Sequence, residues 1–292
     1  MHKAGFVNII GSPNVGKSTL MNELVGERLS IITSKAQTTR HRIFGIVNEE
    51  EYQMVFSDTP GVLRPSYKLH ESMMSFVNTA LKDADVIVLM VEPKDRTLNN
   101  PEVLERVKKS SIPVILLINK LDLSNNKELD ESFVFWQQEI PRAFIAPISA
   151  LHKFNLEFLK AKILEFLPEN PPYFPKDELT DRPLRFFITE IIREKLLLHY
   201  DKEVPYSCEV VVENYEETPE IDRIRILIFV ERDSQKGILI GKGGSDLKRV
   251  GTEARKDMEQ FLQKKVFLEL FVKVDKDWRN EDNKLKKYGY NN

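Results

Sequence analysis

The segment GSPNVGKS at residues 11–18 constrains the fold more than any other part of this chain. The apolar run Phe6 to Ile10 before it is typical of a buried strand, and Lys17 to Val25 after it is typical of a helix. The turn between them exposes backbone N–H groups, and the helix adds the positive end of its dipole, so both would face a bound anion. A strand, a glycine-containing turn and a helix in this order predict a parallel α/β sheet with a phosphate site at its edge.

The residues of this loop have separate predicted tasks. Gly16 lets the backbone approach phosphates without a Cβ clash, Lys17 reaches the β and γ phosphates, and the Ser18 hydroxyl binds magnesium. An accidental glycine turn is a poor alternative because the Lys-Ser pair and both flanking elements are present. The predicted phosphate-binding residues here are Gly11, Ser12, Pro13, Asn14, Val15, Gly16, Lys17, Ser18 and Thr19.

A second phosphate motif, DTPG, follows the predicted strand Gln53 to Ser57. Asp58 would hold magnesium, directly or through water, and the Gly61 amide would sense the γ phosphate. A lone DTPG is more often an ordinary turn, and its place downstream of a phosphate loop favours the functional interpretation. The motif adds Asp58, Thr59, Pro60 and Gly61 to the predicted phosphate-binding residues.

Two further motifs, NKLD and SA, predict selection of guanine. They follow the predicted strands Val114 to Ile118 and Phe144 to Ile148 and supply Asn119, Lys120, Asp122, Ser149 and Ala150. An aspartate accepts hydrogen bonds from guanine N1–H and from its 2-amino group, whereas adenine offers neither donor. Leaving such groups unpaired costs about 1–3 kcal/mol each, which selects GTP over ATP. A solvated loop carboxylate is the alternative for Asp122.

A mobile switch is predicted in the polar, basic segment KAQTTRHR at residues 35–42, which precedes the strand-like run Ile43 to Asn48. A threonine there would close on magnesium when the γ phosphate is present and release after hydrolysis. We favour Thr39, with Thr38 open and a basic surface loop as the alternative. The predicted switch residues are Gln37, Thr38, Thr39 and Arg40.

After Gly61 comes Val62. Its apolar side chain cannot orient the attacking water, so slow intrinsic GTP hydrolysis is expected.

The length and the proline pattern predict two domains. A chain of 292 residues with 41% hydrophobic residues suffices for two cores. Four prolines between residues 168 and 175 break the alternation of strands and helices and favour an extended, semi-rigid connector or a passive spacer. We predict a three-layer P-loop GTPase domain at 1–168, a linker at 169–182 and an α+β domain at 183–292.

The second domain has the element order of a type II KH domain, an RNA-binding fold. A helix from Leu184 to about His199 precedes predicted strands at Tyr206 to Tyr215, Arg223 to Arg232 and Val266 to Val274. Between the last two strands lies the loop GKGG at 241–244, flanked by helices. Two glycines around two residues are the KH pattern that clamps about four nucleotides of single-stranded RNA.

The charge around this loop supports RNA binding. Residues 236–265 contain eight Lys or Arg against four Asp or Glu, although the whole chain has a net charge of -2. Ile238 and Ile240 are candidates for the floor of an apolar groove. The predicted RNA contacts are Ile240, Gly241, Lys242, Gly243, Gly244, Lys248 and Arg249, with Arg255 and Lys256 as further candidates. Trp278 and the tail beyond it either stack on bases or, more commonly, pack against the sheet.

The cysteine count and the lengths of the apolar runs predict a protein of the cytosol. A single cysteine, Cys208, excludes an internal disulfide and fits a reducing compartment. Apolar runs such as Val86 to Val91 are far too short to span a bilayer, and the N-terminus lacks a signal-peptide core. We therefore expect a soluble protein, at most peripherally bound to a membrane.

Segments spread over nearly the whole chain resemble the Era family of bacterial GTPases, which are ribosome-assembly factors. These segments are GSPNVGKSTLMN, KAQTTRHR, DTPG, NKLD, SA, EIIREKLL, EVPYS, ILIGKGG and EARKDME. The resemblance implies a GTPase domain followed by a type II KH domain, with Val62 matching the family. It implies GTP or GDP and Mg²⁺ as ligands, and the 3′ end of 16S rRNA and the 30S subunit as partners. It further implies K⁺ bound by Asn14 in place of an arginine finger, and peripheral association with the cytoplasmic face of the membrane.

Two other classes of function fit parts of the pattern. One is an RNA-binding protein whose nucleotide is structural, which a lost Lys17 or Asp58 would have indicated; both are present. The other is a related GTPase of tRNA modification or of large-subunit assembly. A second phosphate loop or an added modification domain would favour it, and the sequence has neither.

Overall fold

The strand, turn and helix at the N-terminus open an α/β sheet in the computed structural model, which describes residues 1–290. The chain divides into two units. One comprises residues 1–66 and 70–181, and the other comprises residues 67–69 together with those from 182 onward. Residues 291 and 292, the last two of the predicted second domain, lie outside the described residues.

Strands and helices alternate along the first unit. The strands are β1 (Lys3–Gly11), β2 (Ile43–Asn48), β3 (Tyr52–Asp58), β4 (Val86–Val91), β5 (Val114–Ile118) and β6 (Phe144–Pro147). The helices are α1 (Lys17–Val25), α2 (Lys68–Lys82), α3 (Pro101–Lys109), α4 (Asn126–Glu139) and α5 (Leu156–Phe166), and only the first two residues of α2 are grouped with the second unit. The bounds of α1, β2 and β5 are those predicted from the sequence, and those of β1, β3 and β6 differ by one to three residues.

The sheet of the first unit has the order β2-β3-β1-β4-β5-β6 among residues 1–290, with β2 antiparallel to β3 and the other neighbours parallel. Every residue of β4 and β5 is buried, as expected for strands covered by helices on both faces. Because β1, β3, β5 and β6 are parallel, their carboxyl ends lie at one edge of the sheet. The four sequence motifs follow these ends, so the fold brings them together.

The predicted linker at 169–182 packs for most of its length against the first unit. Residues 169–181 belong to the first unit, where Ile46 of the edge strand β2 donates its N–H to Leu179 O at 2.8 Å. The buried Gln53 amide donates to Phe174 O at 2.8 Å and accepts from Phe174 N at 3.0 Å. The segment contains bends and a turn at Lys176 and Asp177, so it is not extended throughout. Its backbone nevertheless docks on the sheet edge, where β2 and Gln53 supply the partners.

The second unit has the predicted order of elements. These are α6 (Leu184–His199), β7 (Glu209–Glu216), β8 (Ile221–Val230), α7 (Asp233–Ile240), α8 (Ser245–Leu262), β9 (Lys265–Val274) and α9 (Asp282–Lys287). The strands form the sheet β7-β8-β9, with β7 antiparallel and β9 parallel to β8. We predicted a strand from Tyr206, but Pro205–Ser207 form a 3-10 turn instead, since proline favours the start of a helical turn.

The C-terminal aromatic residues close the core of the second unit. Trp278 is fully buried, and its indole N–H donates to Ser207 O at 2.9 Å. The Tyr290 hydroxyl donates to the buried Glu209 carboxylate at 2.6 Å. Of the two roles considered for Trp278, the structure therefore has the packed one, and the ring is not accessible for stacking on bases.

Candidate nucleotide and nucleic-acid sites

A cavity of about 590 Å³ opens at the carboxyl ends of the strands in the first unit. The structure brings residues of every nucleotide motif to its walls. The predicted residues that line it are Pro13, Asn14, Gly16, Lys17, Ser18, Thr19, Gln37, Thr38, Thr39, Gly61, Asn119, Lys120, Asp122, Ser149 and Ala150. A volume of this size accommodates a nucleotide-sized ligand.

The phosphate loop has a backbone that only glycine adopts readily at Gly16. Its φ is 104°, and a Cβ built there would lie 2.4 Å from Asn119 Nδ2. Helix α1 begins at the next residue, Lys17. The first amides of α1 and those of the loop are therefore available to an anion at the end of the helix dipole.

Lys17 is folded back onto its own loop. Its ammonium donates to Gly11 O at 3.1 Å and to Ser12 O at 2.9 Å. Burial lowers the pKa of Lys17 to about 8, while the charge of Asp58 acts in the opposite direction. These carbonyls are weak partners for an ammonium compared with a phosphate, so the side chain is poised to exchange them for one.

Three oxygen-bearing side chains converge behind the lysine. Ser18 Oγ donates to Asp58 Oδ2 at 2.7 Å, and Thr39 Oγ1 lies 2.9 Å from Ser18 Oγ and 3.3 Å from Asp58 Oδ2. Asp58 Oδ1 is buried and has no hydrogen-bond partner in the described chain. Burial raises the pKa of Asp58 above its usual value, and the charge of the neighbouring Lys17 ammonium offsets only part of this rise. Hard oxygen donors around a buried carboxylate oxygen that lacks a partner fit a magnesium ion.

The two threonines of the predicted switch differ in their surroundings. Thr39 is buried beside Ser18 and Asp58. Thr38 Oγ1 instead donates to Lys35 O at 2.6 Å and lies 2.7 Å from another threonine hydroxyl. The geometry thus favours Thr39 as the switch threonine, as the sequence analysis did.

Asn119 links the phosphate loop to the base-binding loop. Its Nδ2 donates to Val15 O at 2.8 Å, and its Oδ1 accepts from Ala150 N at 3.0 Å. Both ends of the amide bond to the backbone, which holds the two loops together. Asn119 also lines the cavity, and its predicted contact with guanine stays a prediction.

Asp122 is oriented by Ser149. The serine hydroxyl donates to Asp122 Oδ1 at 2.5 Å, and this hydrogen bond is the main cause of a lowered pKa for the carboxyl group. Asp122 Oδ2 lies 3.8 Å from His152 Nε2. The neighbouring Lys120 pairs with Glu92. An ionised carboxylate with one oxygen held by a serine retains the other as an acceptor for a ligand.

Some predicted phosphate-site and switch residues do not line the cavity with their side chains. Asp58 and Thr59 are fully buried, and the Thr59 hydroxyl donates to Ile9 O at 2.7 Å. Arg40 is 1% exposed and so lies under the switch rather than at its surface. The others outside the lining are Gly11, Ser12, Val15 and Pro60. These residues can contribute their backbone or support the loop.

Apolar residues at the mouth of the cavity were missed by the sequence analysis. Leu123 and Leu151 are 77% and 68% exposed, and each follows one of the two base-binding motifs directly. Ile31 and Ile32 also line the cavity. An exposed leucine next to a polar motif is the signal that would have indicated them, because such positions can cover the flat face of a base.

Two other sequence expectations concern hydrolysis. Val62 is fully buried in the core, and its N–H donates to Gly11 O at 2.9 Å, so its side chain does not reach the cavity. Asn14 lines the cavity with a left-handed φ of 63°, and its amide donates to Ser34 O at 2.9 Å. This links Asn14 to the switch segment, and its binding of potassium stays a prediction.

A groove of about 360 Å³ lies between α8 and β9 of the second unit. Its lining residues are Gly244, Leu247, Lys248, Gly251, Thr252, Arg255, Leu268 and Leu270. Three leucines form its apolar part. Ile238 and Ile240 do not line this groove: Ile238 is 51% exposed on α7, and Ile240 is partly buried against the core, so their contact with RNA stays a prediction. The sequence pattern on α7 could not show which face of that helix meets the sheet.

The backbone conformation of the GKGG loop favours glycine at three of its four positions. Gly241, Gly243 and Gly244 have φ values of 73°, 61° and 80°. A Cβ at Gly243 or Gly244 would meet no atom within 4 Å, so the space in front of the loop is open. Lys242 and Arg249 are exposed beside it. A turn with open space and flanking cations suits the passage of a sugar-phosphate chain.

Two family models match the chain. One, described as a 50S ribosome-binding GTPase, matches residues 6–120, and the other, described as a KH domain, matches residues 203–279. Each contains the parts of one site: the first includes the phosphate loop and the NK of NKLD, and the second includes the GKGG loop.

Individual relatives match over the full length. GTPase Era of Alkaliphilus metalliredigens (strain QYMF) is 44% identical over 297 residues, which cover 99% of both chains. GTPase ERA1, chloroplastic, of Zea mays is 43% identical over 294 residues, covering 99% of this chain and 71% of that protein.

Two solved structures are similar over both units. The crystal structure of Era in complex with MgGDPNP and nucleotides 1506–1542 of 16S ribosomal RNA has a TM-score of 0.95 at 39% identity and covers 100% of each chain. A point variant of Aquifex aeolicus Era bound to GDP·AlF4⁻ has a TM-score of 0.93 at 39% identity, and the match covers 99% of this chain and 100% of that one.

Proposed function

Because the chain belongs to the Era family of GTPases, we propose that it is a GTP-hydrolysing switch that binds the 3′ end of 16S rRNA and assists assembly of the 30S ribosomal subunit. The observation that carries this proposal is the pairing, in one chain, of a guanine-nucleotide cavity with a KH groove. In the proposed cycle the GTP state favours RNA binding, and hydrolysis permits release.

The first site is suited to GTP hydrolysis. Lys17 exchanges two backbone carbonyls for the β and γ phosphates, and the Gly61 amide contacts the γ phosphate. Ser18, Thr39 and Asp58 hold the Mg²⁺, which neutralises charge on the phosphates when it is bound. The buried Val62 supplies no group that orients water, so intrinsic hydrolysis is slow, with K⁺ at Asn14 as the proposed activator.

The second site is suited to single-stranded RNA. The GKGG loop clamps the backbone, and the bases lie over the leucines of the groove between α8 and β9. Lys248 and Arg255 line the groove and can pair with phosphates. The Era structure at 39% identity contains nucleotides 1506–1542 of 16S rRNA, which supports the same RNA class for this chain.

Assembly of the large subunit is the second candidate, since the matching GTPase family model is described as 50S ribosome-binding. That model covers residues 6–120 and none of the KH groove. The full-length similarity, which includes the groove, is to proteins named Era and to a structure with small-subunit RNA. The small subunit is therefore the better-supported partner.

We place the protein in the cytoplasm. Its single cysteine, Cys208, is buried and forms no disulfide, as suits a reducing compartment. Within residues 1–290, every helix is too short or too polar to cross a bilayer. Peripheral association with the cytoplasmic face of the membrane is implied by the family resemblance and stays a prediction.

The proposal predicts that RNA affinity depends on the nucleotide. A labelled single-stranded RNA from the 3′ end of 16S rRNA would be titrated with the protein bound to a non-hydrolysable GTP analogue, to GDP, or to neither. We expect the tightest binding with the GTP analogue. Equal affinity in all three states would retain the KH groove as an RNA site but separate it from the GTPase.

The GKGG loop can be tested with Gly244→Asp. The substitution adds a negative charge where the RNA backbone passes and forces φ of 80° on a residue with a Cβ, so RNA affinity should fall at least about tenfold. Gly237→Asp is the matched control, because Gly237 is exposed on α7 and a Cβ there meets no atom within 4 Å. GTP hydrolysis should be unchanged in both. An unaffected RNA complex with Gly244→Asp would mean that the loop is only a turn.

A further inference from the structure

Arg42 is a buried arginine at the end of the switch segment. It is 7% exposed, directly precedes β2 and does not line the nucleotide cavity. The rest of the KAQTTRHR segment leads to it from the threonines that approach the magnesium site. A buried cation at such a position needs strong partners, because an unpaired charge is costly to bury.

The Arg42 guanidinium has partners on three other elements. It forms a two-point contact with Asp83, which follows α2, at 2.5 Å and 2.9 Å. Its Nε donates to Ser57 Oγ of β3 at 2.7 Å, and one terminal nitrogen donates to Asn8 Oδ1 of β1 at 3.1 Å. Asn8 also donates to Asp83 Oδ1 at 2.8 Å, which closes the network. The end of the switch is thereby tied to two central strands.

The residues in contact with Arg42 are close in sequence to those of the proposed magnesium site. Ser57 immediately precedes Asp58, and Ile43, the residue after Arg42, is the ladder partner of Asp58 across β2 and β3. Thr39 is three residues before Arg42, so a chain of at most about 11 Å connects them. An anchored Arg42 therefore limits where Thr39 can go when the switch is released.

We propose that Arg42 is a positioning residue: it anchors the C-terminal end of the switch, so that Thr39 returns to Ser18 and Asp58 when GTP and magnesium bind. This inference rests on the proposed function and names the anchor of its switch. The anchor requires the planar guanidinium with its several N–H donors. A single ammonium group cannot bond to Ser57, Asn8 and both oxygens of Asp83 in this geometry.

The inference predicts a state-selective loss in Arg42→Met. Affinity for a non-hydrolysable GTP analogue with Mg²⁺ should fall about tenfold, as expected if only about a tenth of the molecules hold Thr39 in place. GDP affinity should stay within about twofold, since the switch is released in that state. The Mg²⁺ concentration for half-maximal hydrolysis should rise. Calorimetric titrations and hydrolysis assays at varied Mg²⁺ measure these quantities.

Two comparisons separate positioning from a merely structural role. Lys108→Met removes a lysine that pairs with Glu139 at 2.5 Å in the same unit, and it should leave the ratio of GTP-analogue to GDP affinity unchanged. Arg42→Lys retains the charge without the fork and should still lower that ratio, by about threefold. It also provides the test if Arg42→Met fails to fold, which a melting curve would reveal.

The outcomes distinguish this inference from the proposed function. Equal losses for GDP and the GTP analogue in a folded Arg42 variant, or no loss for either, would overturn the anchor while the wild type remains a GTPase. A wild-type protein that binds neither nucleotide would instead overturn the proposed function. Asp83→Asn should reproduce the direction of the Arg42→Met effect, and an unchanged affinity ratio in that variant would also count against the anchor.

Discussion

Asp122→Asn is expected to shift the preference of the nucleotide site from GTP to xanthosine triphosphate. Ser149 donates to Asp122 Oδ1 at 2.5 Å, so in the variant the amide oxygen stays at Ser149 and the NH₂ group takes the ligand-facing position of Oδ2. This NH₂ group opposes the 2-amino group of guanine but matches the carbonyl oxygen at the same position of xanthine, while N1–H is common to both bases. The mismatch with the 2-amino group, at about 1–3 kcal/mol, corresponds to a loss of about 5-fold to 150-fold in GTP affinity.

Competition binding with both triphosphates measures this shift. Asp130→Asn is the matched control, because it removes the same charge from a position on α4 outside the cavity. It should bind GTP as the wild type does. Retained GTP selectivity in Asp122→Asn would show that Asp122 is a solvated loop carboxylate and that the base is recognised elsewhere.

Lys17→Ala is expected to abolish tight binding of GTP. The buried ammonium is the predicted partner of the β and γ phosphates, and truncating one member of a buried, hydrogen-bonded charge pair costs about 2–5 kcal/mol. Affinity should therefore fall at least about 30-fold. Equilibrium titration with a fluorescent GTP analogue, at fixed Mg²⁺, measures the loss.

Lys127→Ala provides the control for Lys17→Ala. Lys127 lies on α4 with 85% of its side chain exposed, so removing it changes the charge of the unit without changing the cavity. RNA binding without nucleotide should be retained in both variants, since the KH groove is lined by residues from 244 onward. Unchanged GTP affinity in Lys17→Ala would remove the phosphate-loop assignment.

Local sequence patterns predicted the elements that carry the two sites. Helix α1 and strands β2 and β5 have the predicted bounds, since the apolar runs and the glycine turn specify them locally. The order of elements in the second unit was also predicted correctly. The start of β7 was wrong by three residues because the 3-10 turn at Pro205 precedes it. Boundaries depend on such turn chemistry more than on hydrophobic periodicity.

Side-chain roles were harder to predict than positions. Asn119 was predicted at the base and lines the cavity, and its amide also joins Val15 O to Ala150 N across 104 and 31 residues of chain, a role that the motif does not indicate. Ile238, predicted for the floor of the RNA groove, is exposed on α7 and does not line the groove between α8 and β9. In both cases the residue type and spacing allowed several partners, and only the packing of distant elements selected one.

The sequence by itself determined which residues can approach a phosphate, a guanine base or an RNA backbone, because glycine conformations, helix starts and charges are local properties. Tertiary structure decided which of them act together. Tertiary packing placed Thr39 rather than Thr38 beside Asp58, and β2 paired with the proline-rich segment. Arg42 joined Asp83 across 41 residues. Such partners come from long-range packing, and no short window of sequence contains both sides of the contact.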